Sequence, residues 1–454
     1  MRRSTRFNRP GLTGSSRSAM LLGADGDGST LNLDFTTMTA TADLTARGLT
    51  FTRGSNGTRI NASGFVETMS NNVARFDHDP STRAPRGLLV EGTSTNLCEQ
   101  GQYCWGSGTT QSWGRNQQVH VNSVNGASGG NNVPRIDGPD GGSLTGTSLF
   151  KDSGSNTFVR TFIALTVSAS TTYTFSVYVR APSGGNPYMR LAAFNGGTWL
   201  NTTGGTTASG ITITDTVGGG SKFNGVPSTA WVRIWVTFTT QVGQTSATIA
   251  FYPDTDTQNA ATMYVWGAQV EVGSGPSSVI LTGVSTATRE QDQMEMADIS
   301  ALSYNLSVGT VAITAFWNKN ASSAFPRSIR FVNASNVISS AIITTTDDLL
   351  GNWPLANGTT TLETTSANVP PLARFKYAMS ASAVANPTLA TLDVALNGTT
   401  GNTTGVASTV RPATKLQFLY GAVAATDYPS MTISSLKYWP TLMTSAQLQA
   451  MTTL

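Results

Sequence analysis

Tyr188, Trp199 and Trp353 each stand beside Gly, Asn or Pro, in stretches that read as loops. An aromatic ring offered by a loop suits stacking on the apolar face of a pyranose, with Asn, Asp or Arg nearby for the hydroxyls. A ring at a contact between subunits or domains has the same surroundings, so both readings stand. By contrast Trp231, Trp235, Trp266, Trp317 and Trp439 fall on alternating apolar runs, where packing accounts for them. Asp254, Asp256 and Asn259, in PDTDTQN, alternate oxygen donors like the first half of a calcium loop. The glycine and distal glutamate of the full loop are missing, and an ordinary polar turn is expected, with no metal or cofactor.

Catalytic sets are harder to assemble. The two histidines, His78 and His120, have turn-like or surface surroundings, which leaves no Ser-His-Asp combination. Among 25 acidic residues, context marks out no pair as the two carboxylates of a glycosidase. The stacked short repeats of a β-helix are absent. The expectation is a protein that binds without catalysing. Cys98 and Cys104 either close a small disulfide loop or remain thiols, and with no histidine nearby they make no zinc site.

These groups must be positioned by strands. Charged residues are only 12% of the 454, about half the usual share, whereas Gly, Thr, Ser and Asn abound. That is the composition of short strands joined by polar turns. A net charge of +3 is too small an excess over this length to argue for nucleic-acid binding, and no nucleic-acid partner is expected. The excess is concentrated in the first residues, where Arg2, Arg3, Arg6, Arg9 and Arg17 precede any acidic residue. A nucleic-acid or anionic-lipid arm is one reading; a solvated tail that orders on an acidic protein surface is favoured, because interleaved aromatics are missing. No apolar run approaches the roughly 20 residues of a membrane helix or the core of a signal peptide, so no membrane insertion is expected.

In chain order, residues 1–30 read as an extended basic docking arm and residues 31–97 as a short-strand connector, with strands at Leu31 to Phe35 and Leu49 to Thr52 and a turn at Asn61 to Gly64. Residues 98–289 show strand after strand. Tyr173, Phe175, Val177 and Val179 alternate on one face, as do Val232, Ile234, Val236 and Phe238, which argues for a β-sandwich. A second sandwich follows over residues 290–454. Asn397-Gly398 marks a hairpin, a parity change at Ser434-Ser435 marks a β-bulge, and Thr444-x-x-Gln447 is a capping box opening a short C-terminal helix. The expected fold is all-β, an N-terminal arm followed by two sandwiches of jelly-roll type.

One stretch organises the rest. Phe76, Asp77, Asp79 and Pro80 form a turn signal, followed by Pro85, Arg86, Gly87, Leu88, Leu89, Val90 and Glu91, and then Thr95, Asn96 and Leu97. With Leu33-Asp34-Phe35, Thr50 to Ser55 and Asn61 to Gly64 upstream, this run resembles a signature of tailed-bacteriophage virion proteins. Residues 173–180, 231–233 and 264–271, followed by Pro276, Ser277, Ile280, Thr288 and Arg289, resemble the carbohydrate-binding-module-like jelly roll that often follows it. Leu392 to Gly398 and Ile433 to Trp439 resemble concanavalin-like or laminin-G-like sandwiches. The resemblance implies a fibre-type appendage, docked to other virion proteins (tail, neck or capsid) through the basic arm. It further implies a homotrimer, exposed on the particle surface, that meets host-surface glycan. A decoration protein making only virion contacts is the alternative, and a surface-polysaccharide depolymerase a further one.

Overall fold

The computed structural model describes residues 26–99, 114–115, 119–121, 135–151, 160–183, 188–196, 198–200, 202–207, 210–215, 220–253, 261–305, 308–319, 327–344, 349–354, 361–365, 373–382, 390–405, 412–418 and 430–454. These residues form an all-β protein of two sandwiches, with short helices at Thr41–Thr45 and Ser445–Thr452 and two turns of 3-10 helix.

The sandwich of the middle region is built as its alternation requires. A six-stranded sheet runs in the order Thr202–Thr206, Val232–Thr239, Thr172–Arg180, Ala261–Val272, Thr147–Lys151, Val119–Val121. Opposite it lies a sheet centred on Met189–Asn195 and Ser246–Tyr252. The expected inward residues all reach the shared core, where Phe175 meets Phe251 edge to face at 4.9 Å between ring centres.

The second sandwich departs from the expected division of the chain. Residues 31–97 are not a separate connector. Leu31–Asp34, Arg75–His78 and Pro85–Val90 join the sheet of Val308–Lys319 and Ser430–Trp439, and Leu49–Thr52 extends the opposing sheet through Gln293–Met296. Leu31, Phe35, Phe51, Phe76 and Leu88 are buried in one core with Ile313, Trp317, Phe331 and Tyr438. These early strands are too short and few to bury a face by themselves, so they complete sheets whose other strands come from the far end of the chain. The middle sandwich is thus an insertion, entered and left through the antiparallel pair Ser94–Asn96 and Ala287–Arg289.

Local expectations hold where turn chemistry dictates the backbone. Leu396 pairs with Thr399 across Asn397-Gly398, whose φ values of 48° and 83° give the primed turn. Thr314 pairs with Ser435 and Ala315 with Ile433, leaving Ser434 as the bulged residue. Thr444 and Gln447 cap the last helix reciprocally. Among the described residues, no helix is long and apolar enough to cross a membrane.

Candidate functional site

The junction of the two sandwiches begins with a hairpin. Asp79 Oδ1 accepts the N–H groups of Ser81 and Thr82 at 2.9 and 2.8 Å, and Arg86 Nη2 donates to Asp79 Oδ2 at 2.5 Å. Partial burial opposes ionisation of Asp79, but these donors hold its carboxyl down at about 2. The returning strand crosses the Ser434 bulge, where Ser434 Oγ donates to the Arg86 carbonyl at 2.7 Å. Gly87 lies directly over the bulge. Its φ is +116°, and a Cβ there would stand 2.1 Å from the Ile433 carbonyl oxygen, so only glycine fits.

That strand delivers Glu91 to a buried charge cluster. Arg75 Nη1 donates to Glu91 Oε2 at 2.7 Å, and Arg289 Nη1 lies 3.3 Å from the same oxygen. Ser278 N, Ser278 Oγ and Ser430 Oγ also donate to the Glu91 carboxylate, at 2.8, 2.5 and 2.8 Å. Asp292 Oδ1 accepts from Arg53 Nη1 at 3.0 Å, while its Oδ2 accepts from Arg75 Nη2 and from Glu91 N. Burial alone would raise Glu91, but Arg289, Arg75 and the Ser278 donors hold it well below the carboxylate range. Burial likewise opposes the charge on Arg75, yet Asp292 and Glu91 hold it above its ordinary value. Asn96 ties the inserted sandwich to this cluster: its Nδ2 donates to the carbonyls of Ala268 and Ile280, and its Oδ1 accepts from Cys98 N and Val270 N. The signature residues therefore meet the linker after residue 276 in one polar lock.

Beside the lock opens a cleft of about 380 Å³, lined from both sandwiches by Trp231, Tyr178 and Phe316, by Arg59, Arg86 and Arg233, and by Asp77, Asn318 and Thr207. Trp231 packs with Tyr178 and Ile60 against Trp266, Val66 and Val279, and its Nε1 donates to the Asp137 carbonyl at 3.0 Å. Two arginines of the cleft are paired, Arg59 with Glu67 at 2.9 Å and Arg86 with Asp79; Arg86 also covers Phe316 at 4.5 Å. Asp77 accepts the Ile60 N–H at 2.7 Å, and burial pushes its carboxyl up to about 6. Aromatic faces, guanidinium donors and amide groups in one recess can hold a polar ring with an apolar face.

The residues singled out from sequence lie elsewhere. Trp199 is on the strand Thr198–Trp199, not in a loop, and packs on the outer face of the inserted sandwich against Phe194 at 4.5 Å and Tyr252 at 6.1 Å. Arg160 covers Phe194 at 4.5 Å and donates to Tyr252 Oη. Tyr188 is half-buried, with the Lys222 ammonium 4.5 Å over its ring. Trp353 also lies on a strand, Leu349–Pro354, opposite Leu362. Its glycine and proline neighbours read as turn signals, but Gly351 pairs with Ile342 and Thr364 and Trp353 with Leu362, which carries the strand to its end at Pro354. His120 is on the strand Val119–Val121 instead of a turn. Arg2, Arg3, Arg6, Arg9 and Arg17, Cys104, and Asp254, Asp256 and Asn259 lie outside the described residues; Cys98 is buried. Among the described residues no cluster of His, Cys, Asp and Glu could hold a metal ion. Sequence reasoning missed Trp231, Arg233 and Tyr178: Tyr178 and Arg233 fall on the strand faces opposite the inward sets, and Trp231 directly precedes the strand Val232–Thr239 instead of lying on it.

No protein-family model and no curated protein matches the chain. Among solved structures it is similar to the botulinum neurotoxin type G receptor binding domain, at 6% identity and a TM-score of 0.28, over 36% of this chain and 39% of that one. The botulinum neurotoxin serotype C1 binding domain matches at 10% identity and TM-score 0.29, over 35% of this chain and 40% of that one. A Trypanosoma rangeli sialidase mutant displaying trans-sialidase activity matches at 9% identity and TM-score 0.25, over 33% and 23%. This chain spans less than half of each of these proteins, and the likeness extends to β-rich architecture alone.

Proposed function

We propose that this chain is a non-catalytic, fibre-type virion appendage that binds host-surface glycan in the cleft between its two sandwiches. The observation that supports this reading is the cleft itself, where Trp231, Tyr178 and Phe316 stand beside Arg59, Arg233 and Asn318. Stacking faces next to fixed donors are what a pyranose needs, and repeated copies of a weak site supply avidity. The basic arm with Arg2, Arg3, Arg6, Arg9 and Arg17 is the proposed docking segment to other virion proteins, and a homotrimer the proposed state. A two-carboxylate hydrolase finds less support. Of the two carboxyls at the cleft, Glu91 is enclosed by Arg75, Arg289, Ser278 and Ser430, with no oxygen left to act as a nucleophile or base.

The test is competition for host cells. Purified full-length protein added to cells should slow phage adsorption in proportion to the cell surface it occupies. Protein that neither binds cells nor competes would overturn the receptor reading. It would favour the decoration protein that makes only virion contacts.

A further inference from the structure

Arg233 is the unusual member of the cleft. It is buried, 6% exposed, yet lines the recess. Nη1 donates to the Ser277 carbonyl at 2.5 Å, Nη2 to Ser176 Oγ at 3.0 Å, and Nε has no partner. Among the described residues it forms no ion pair, unlike Arg59, Arg75, Arg86 and Arg289. A buried guanidinium whose hydrogen bonds go only to neutral oxygens carries a desolvation cost that a bound anion would offset. The Arg233 guanidinium carbon lies 5.6 Å over the Tyr178 ring, and Trp231, just before the strand Val232–Thr239, presents a half-exposed ring to the same recess.

We infer that the cleft takes an acidic sugar, its oxyanion on the Arg233 guanidinium and its ring against Trp231; this deepens, and rests on, the glycan reading above. A guanidinium presents planar paired donors that match a carboxylate or a phosphate alike, so the shared chemistry is an oxyanion carried by a pyranose. Of the two carboxyls lining the cleft, Asp77 is the one not bonded to a guanidinium, and its Oδ1 accepts the Ile60 N–H. Glu91 is already neutralised by Arg75 and Arg289.

The test presents full-length protein with oligosaccharides in matched pairs: uronate-containing chains with their carboxyl-reduced forms, and phosphorylated chains with their dephosphorylated forms. The expected result is a preference of at least about ten-fold for the acidic member of one pair, which also names the source of the oxyanion. Arg233→Gln should erase that preference. Thr207→Glu, at the exposed rim beside Arg233, should do the same without removing a buried group, and decides the matter if Arg233→Gln does not fold. Binding of neutral members at equal or higher affinity overturns the acidic assignment and leaves glycan binding standing. An acidic preference that survives Thr207→Glu removes it from this cleft. Failure of every member to bind overturns the glycan reading and this inference with it.

Discussion

Asp77→Asn should stabilise the protein at neutral pH. The Asp77 side chain is buried at the junction, and loss of hydration is the largest influence on it; the Ile60 N–H, Arg86 and Arg75 act in the opposite direction and Glu91 in the same one. The balance raises its carboxyl from 3.8 to about 6. The folded state therefore keeps a proton that the unfolded chain releases, so stability falls as pH rises from about 4 to 6, and the full cost is present above that window. A rise of about 2 units corresponds to about 3 kcal/mol. Asn has no charge to desolvate, and its Oδ1 can still accept the Ile60 N–H. Urea unfolding of wild type and variant, followed by circular dichroism at pH 4, 5, 6 and 7.5, measures the difference directly. It should be near zero at pH 4 and reach up to about 3 kcal/mol in favour of the variant at pH 7.5. A pH-independent difference, or a less stable variant at pH 7.5, would refute the reasoning.

Glu91→Gln removes the opposite kind of carboxyl, one held ionised, and leaves Arg53 and Arg75 sharing the buried carboxylate of Asp292 while Arg289 loses the carboxylate it pairs with. The expected loss is about 3–5 kcal/mol at pH 7, seen as a lowered unfolding midpoint. Gly87→Ala forces a Cβ toward the Ile433 carbonyl at φ +116° and should lower the melting temperature through backbone strain of about 1–3 kcal/mol plus the clash, with wild-type melting counting against the bulge geometry. Trp199→Ala should loosen the aromatic face around Phe194 and Tyr252 while leaving glycan affinity unchanged; a fall in affinity would move the site to that outer face.

Which residues were legible in advance follows from the range of the interactions. Period-two alternation in Thr172–Arg180 and Val232–Thr239, the Asn397-Gly398 turn, the Ser434 bulge and the Thr444 cap all depend on neighbours within a few positions. Trp199 and Trp353 were misplaced because their glycine and proline neighbours signal turns, whereas pairing with strands Met189–Asn195 and Thr361–Thr365 decides their backbone. The signature from Phe76 to Leu97 was visible as a block of unusual residues. Its physical purpose was not visible, because the partners of Glu91 and Asn96 (Ser278, Ser430, Ala268 and Ile280) are far away in the chain.

The sequence by itself determined the all-β class, the inward faces of the central strands and the turns between them, since each rests on local alternation and local turn chemistry. Only the tertiary structure decided that residues 31–90 close the sheets of residues 293–439 around an inserted sandwich, and that Arg233 and Trp231 share a cleft with Arg59 and Asp77. Short strands carry no label for the partner they will meet. That choice is made by burial and by satisfaction of buried polar groups, which act across hundreds of residues once the chain is compact.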